Sequence, residues 1–234
     1  MAKVTEGTSG SDGVVIIADS TTEPVLEVRL ATDAHNRLEI LGDGSIKTGA
    51  GGSAPAAQSP EPYALTTGHE SLPRTLTSGS PQPATGSLRF TYFTARRAEP
   101  ATQVRVWTGT TAAAATPTLV RFGLYMVEPN QDLTLVASTA NDTTLLAAPS
   151  TSYTKALQAS YTFQPGVRYA FGPLVVSGTT MPNYPGLSLS VNAAEQAVAP
   201  RLTGALSGQT DLPATVAAGS IAISGFMIYG VFLP

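Results

Sequence analysis

The stretch Thr118-Leu119-Val120-Arg121-Phe122-Gly123-Leu124-Tyr125-Met126-Val127 decides the fold class. Val120, Phe122, Leu124 and Met126 alternate with Arg121, Gly123 and Tyr125. A period of two sends successive side chains to opposite faces of a strand. The same period recurs on both sides of this stretch. Leu88, Phe90 and Tyr92 alternate with Arg89, Thr91 and Phe93, and Val104 and Val106 alternate with Gln103, Arg105 and Trp107. Leu187, Leu189 and Val191 alternate with Ser188 and Ser190. Strands are expected near 87–94, 102–108, 118–127, 132–138, 160–164, 167–177, 186–192 and 220–232, with a further short strand at 143–146. Residues 151–157 are ambiguous between strand and helical turn. Glu128 to Asp132 and Gln164-Pro165-Gly166 read as tight turns. This pattern predicts an all-β protein whose carboxy-terminal domain, residues 85–234, is a jelly-roll-like β-sandwich.

Working outward, residues 51–84 are dominated by Gly, Ser, Ala and Pro, including Pro55, Pro60, Pro62, Pro73, Pro81 and Pro83. Proline removes a backbone donor and restricts its neighbour, so this segment reads as a semi-extended linker. Residues 1–50 form an amino-terminal module with short β-runs at Val14 to Ile17, Val25 to Leu30, Arg37 to Leu41 and Ser45 to Lys47. About 50 residues with so few apolar side chains bury too little surface alone. Strands of this length need partners from other chains, and a trimeric shaft would supply them. The segment 193–218 shows little apolar alternation and reads as a long loop, which in a compact domain is functional or packed on a neighbour.

Composition narrows the function. Charged residues make up 12% of the 234, against about 25% in typical globular proteins. Such a surface suits large subunit contacts, where unpaired charge is costly to bury. Net charge is -3 and Arg96-Arg97 is the only adjacent basic pair, which argues against a nucleic-acid partner. There are no cysteines, so stability must come from packing or oligomerisation. The start Met-Ala-Lys-Val-Thr-Glu-Gly lacks the apolar core of a signal peptide, and no apolar run reaches the roughly 20 residues of a membrane helix. A protein made in the cytoplasm without membrane insertion is expected.

Catalytic signatures are missing from the sequence. His35 and His69 have no metal-ligand spacing around them, and no phosphate loop or nucleophile elbow is present. Gly42-Asp43-Gly44 lacks the remaining positions of a calcium loop. A glycosidase needs two carboxylates facing one bond, and only Glu99, Glu128, Asp132, Asp142, Glu195 and Asp211 are candidates, without a local motif. No cofactor, metal or catalytic residue is therefore assigned. Carbohydrate binding fits better, with Trp107, Tyr125, Tyr153, Tyr161, Tyr169 and Tyr184 as candidate stacking surfaces. Asn183 and Tyr184 lead, because Pro182 and Pro185 stiffen their loop and loops carry function.

Arg37-Leu38-Glu39-Ile40-Leu41-Gly42-Asp43-Gly44-Ser45-Ile46-Lys47-Thr48-Gly49 resembles the short β-repeats of bacteriophage tail fibres and minor tail proteins, which pair an R-L-x-I strand with a G-x-I-x-x-G strand. Leu88 to Ala95, Arg121 to Tyr125, Asp132 to Thr139 and Arg168-Tyr169-Ala170 resemble a domain of phages that infect actinobacteria. The resemblance implies a trimeric protein on the virion surface. Its amino-terminal region would attach to other virion proteins, and the sandwich would face outward toward host cell-wall glycan. A head fibre or capsid decoration protein is the alternative, and a polysaccharide-degrading enzyme a third reading. No catalytic residues carry over.

Overall fold

The computed structural model of the protein describes residues 65–110, 114–189 and 198–234, together with three short strands nearer the amino terminus. The described residues are all-β, and each strand pairing among them is antiparallel. The chain divides into two compact units, Met1–Pro60 and Glu61–Pro234.

In the first unit, β1 (Leu26–Arg29), β2 (Arg37–Ile40) and β3 (Ile46–Thr48) form a meander in which Leu38 lies opposite both Val28 and Thr48. The run expected at Val14 to Ile17 lies outside the described residues, as does His35.

The second unit opens with β4 (His69–Glu70), followed by β5 (Leu88–Thr94), β6 (Pro100–Trp107), β7 (Ala115–Val127) and β8 (Leu133–Ser138). Then come β9 (Ser152–Thr162), β10 (Arg168–Thr180), β11 (Gly186–Ser188), β12 (Thr203–Leu206), β13 (Thr215–Val216), β14 (Phe226–Ile228) and β15 (Gly230–Leu233). A six-stranded sheet runs β12-β5-β10-β7-β8-β13, a four-stranded sheet runs β4-β15-β6-β9, and β11 pairs with β14. The alternation in β7 explains the layering. Val120, Phe122 and Leu124 face the four-stranded sheet and pack with Val104, Val106, Phe171 and Phe232. Tyr125 points to the opposite face, beside Leu88, Phe90 and Leu174. The turns expected at both hairpins form: Gln131 N–H donates to Glu128 O, and Val167 N–H donates to Gln164 O.

Four expectations need correction. The linker reading of 51–84 fails from Leu65 onward. There β4 pairs with β15, and the buried Ser71 hydroxyl donates to Ile228 O while accepting from Gly230 N–H. A proline-rich segment can pair one edge and supply one anchor without forming a long strand. The loop expected at 193–218 holds β12 and β13, and Leu212, Val216 and Ile221 cover the outer face of the six-stranded sheet. The ambiguous residues 151–157 fall in β9 from Ser152 onward, paired with β6, whereas 143–146 is a turn. The strand expected at 220–232 is split into β14 and β15, which pair in different sheets.

The cover over the outer face is testable. Ile221 is 6% exposed and packs into that layer, whereas Ile223, two residues on, is 43% exposed. Ile221→Ala should lower the unfolding free energy by about 2–5 kcal/mol in urea titrations. Ile223→Ala should stay within about 0.5 kcal/mol of wild type. Equal losses would mean that the segment does not close a core.

Candidate binding site

The outer face of the four-stranded sheet carries a small apolar cluster of its own. In β6 the inward positions are Val104 and Val106, so Trp107 falls on the outer side. Along β15 and the residue before it, Phe232 faces inward, and Tyr229 and Val231 face outward with Leu72. Two residues 122 positions apart thereby meet: the Trp107 and Tyr229 rings lie 5.1 Å apart at 32°.

These rings stand in an open cleft of about 500 Å³. Its other walls are Arg74, Thr77, Gly79 and Ser80, the residues from Thr108 to Thr110, Ser150 and Pro185. Aromatic faces beside a few convergent polar groups are the usual composition of a small-molecule site. Tyr229 OH donates to Glu70 Oε1 at 2.7 Å, and the same oxygen lies 3.4 Å from Arg74 Nε. Burial, with the Glu70 bond adding, pushes the Tyr229 hydroxyl up, so it remains a neutral donor at any physiological pH. Glu70 thus fixes one ring and one guanidinium at once.

Asn183 and Tyr184 are not at the surface. They are 2% and 1% exposed, which rules out the direct ligand contact expected of their loop. Burial also pushes the Tyr184 hydroxyl up. Pro182 and Pro185 stiffen a segment that is folded inward rather than one held out. Asn183 instead ties two walls of the cleft together. Its carbonyl accepts from Gly109 N–H at 2.6 Å, and its Nδ2 donates to Ser80 Oγ at 3.1 Å. A Cβ on Gly109 would stand 2.6 Å from Asn183 Nδ2 and 2.8 Å from Ser80 Oγ, so only glycine permits this approach. Ser80 Oγ accepts from Asn183 and lines the cleft.

The other aromatic candidates are core or tied within the fold. Tyr125 and Tyr169 are buried, Tyr161 OH lies 3.2 Å from Tyr169 OH, and Tyr153 OH accepts from Ala148 N–H. Trp107 alone of that set lines the cleft. Tyr229, absent from the set, sits in a continuous apolar run where nothing in the sequence separates a cleft wall from core.

His69 is buried against the Phe163 ring at 4.2 Å and borders a separate cavity of about 310 Å³. Burial holds its imidazole down at about 4; nearby Arg97 adds to the fall and Glu99 opposes it. Among the described residues no group of three or more His, Cys, Asp or Glu side chains could hold a metal ion. Each described carboxylate of the sequence set is bonded inside the fold. Glu99 is held by Arg97 and Gly68 N–H, Glu128 by Thr134, Asp132 by Asn130 and Ala218 N–H, Asp142 by Lys155 and Thr144, and Asp211 by Arg121. Glu195 lies outside the described residues.

No protein-family model matches the chain, and no curated protein matches it either.

The bracing role of Asn183 yields an expected outcome. Asn183→Ala removes the amide bond to Ser80 and opens space beside Gly109. It should cost about 1–3 kcal/mol in unfolding free energy. It should also shift the fluorescence of Trp107, the sole tryptophan, toward the red. Unchanged stability with unchanged emission would remove Asn183 from the cleft's support.

Proposed function

We propose that this chain is a carbohydrate-recognising virion protein of the phage tail-fibre or tail-tip type, and that the Trp107–Tyr229 cleft takes a sugar of the host surface. The observation that carries the reading is the cleft itself. A tryptophan and a tyrosine ring lie side by side, with Ser80, Thr110 and Ser150 hydroxyls around them. A sugar ring offers an apolar face and a rim of hydroxyls, which such a surface matches. The virion setting rests on the resemblance of Arg37 to Gly49 to the short β-repeats of phage tail fibres and minor tail proteins, and of the later strand segments to a domain of phages that infect actinobacteria. Two antiparallel sheets around one core support a jelly-roll-like arrangement of the second unit. Binding, rather than bond cleavage, is the proposed activity, because the described candidate carboxylates are engaged elsewhere and none lines the cleft.

The protein is proposed to be a homotrimer with its amino-terminal unit forming a shaft. Three strands of four, four and three residues make a sheet too small for independent stability. Trimerisation would also raise avidity for a repeating glycan without new contacts. Light scattering during gel filtration of the full-length protein should give the mass of three chains. A monomer at micromolar concentration would dismiss the shaft.

Recognition is tested by co-sedimentation with purified actinobacterial cell walls. Wild type should pellet with walls from its host. Trp107→Ala should lower affinity at least tenfold, about 1.4 kcal/mol, with Trp107→Phe recovering part of it. Urea unfolding run in parallel establishes that the variants are folded. A folded Trp107→Ala protein that pellets like wild type moves recognition away from this cleft. Failure to bind any wall favours the decoration-protein reading.

A further inference from the structure

In the six-stranded sheet β5 runs between β12 and β10. Tyr92 of β5 belongs to the outer layer of that sheet and is buried, and its hydroxyl has no hydrogen-bond partner among the described residues. Each neighbouring strand brings an arginine to it. Arg168 opens β10 opposite Thr94, and its guanidinium carbon lies 5.4 Å from the centre of the Tyr92 ring. Arg201 comes just before β12, and the next carbonyl, Leu202 O, accepts from Tyr92 N–H at 3.1 Å. The two arginines are tied together, because Arg168 Nη2 donates to Arg201 O at 2.5 Å. Burial pulls Arg168 down from the ordinary arginine value, the mark of a guanidinium that has lost part of its water. Burial also pushes the Tyr92 phenol up to about 12, against the pull of Arg201 and Arg168. The phenol therefore stays neutral and supplies no counter-charge.

Both arginines are half-buried, and neither forms an ion pair among the described residues. Arg168 otherwise bonds only the Gln131 amide oxygen, at 3.4 Å, and Arg201 donates to Ile221 O at 2.9 Å. The carboxylates of the hairpin that carries Gln131 are engaged elsewhere. Glu128 accepts from Thr134 Oγ1, and Asp132 accepts from Asn130 and from Ala218 N–H. Arg97, Arg121 and Lys155, by contrast, each hold a carboxylate. Two cations held together in a partly dehydrated setting without an anion are costly. An anion from outside the chain removes that cost.

We propose that Arg168 and Arg201 form an oxyanion site on the outer face of the six-stranded sheet, taking one phosphate or carboxylate group between them. A guanidinium presents its N–H groups as a planar fork that matches the paired oxygens of either group. Carbonyls hold Arg168 by Nη2 and Arg201 by Nη1, while Nε of neither side chain makes a hydrogen bond among the described residues. The site lies on the other sheet from the Trp107–Tyr229 cleft and does not depend on the carbohydrate reading.

The test is isothermal titration calorimetry of the full-length protein with inorganic phosphate and with acetate, at constant ionic strength against chloride. At least one of the two anions should bind, with a dissociation constant on the order of millimolar or tighter. Phosphate binding without acetate binding assigns a phosphate group, and acetate of equal strength assigns a carboxylate. Arg201→Gln and Arg168→Gln should each weaken that binding about 3- to 5-fold, the scale of one partly exposed ion pair. Arg105, exposed on the other sheet and bonded to Thr154, controls for net charge, and Arg105→Gln should leave the affinity unchanged. Urea unfolding establishes that each variant is folded. If Arg168→Gln does not fold, Arg201→Gln decides, since its side chain makes a single hydrogen bond to the described residues. No binding of either anion by the wild type, unchanged affinity in Arg201→Gln, or an equal loss in Arg105→Gln overturns the site.

Discussion

The structure depends on the long pairing of β7 with β10, because this pair is buried on both faces. Gly123 lies opposite Gly172 in that pairing, and the Tyr125 ring lies against both. A Cβ at Gly123 would come within 2.8 Å of Tyr125 Cε2, and one at Gly172 within 3.1 Å of the same atom. Two strand glycines that would weaken a sheet are thus roofed by a cross-strand aromatic, as edge and interior glycines can be. The phenol then reaches the covering segment, donating to Pro213 O. One side chain joins the sheet to its outer layer. With the outer layer closed, the inner face is free to build the core against the four-stranded sheet, through Phe171 and Phe232 in edge contact at 5.8 Å.

The four-stranded sheet passes this order on to the cleft. Its inner residues commit Val104, Val106 and Phe232 to the core, so strand parity alone places Trp107 and Tyr229 outside. The segment from His69 to Leu76 fastens the edge. Ser71 bonds both sides of the break between β14 and β15, and Arg97 bonds Gly68 O and Glu99. Glu70 ties that segment to the sheet by accepting from Tyr229 OH. A proline-rich stretch that looks like a spacer therefore forms one wall of the cleft.

Low charge has a matching consequence. With few ionic groups, the described carboxylates are almost all spent on local bonds, such as Asp142 with Lys155 at 2.7 Å. Hydrogen bonding to Lys155 and Thr144 holds the Asp142 carboxyl down at about 2.

Strand identity and facing were legible in the sequence in the alternating runs that became β5 and β7. Leu88, Phe90 and Tyr92 share one layer, and Val120, Phe122 and Leu124 share the other, as their alternation requires. The all-β class follows from those runs alone. Short elements were not legible: β4 and β13 have two residues each, and a two-residue strand has no period to read. The residues Leu212, Val216 and Ile221 cover a face without alternating, because a lid is anchored at scattered points and not along a ladder. The Asn183-Tyr184 loop was identifiable as special from its flanking prolines, but local sequence carries no sign of whether a stiff segment points outward or inward. Trp107 could be named, while its partner Tyr229 could not, since their meeting depends on β6 and β15 lying side by side. Sequence by itself determined which side chains alternate. Tertiary structure decided which faces are covered, because burial is a property of what packs on a strand from elsewhere in the chain.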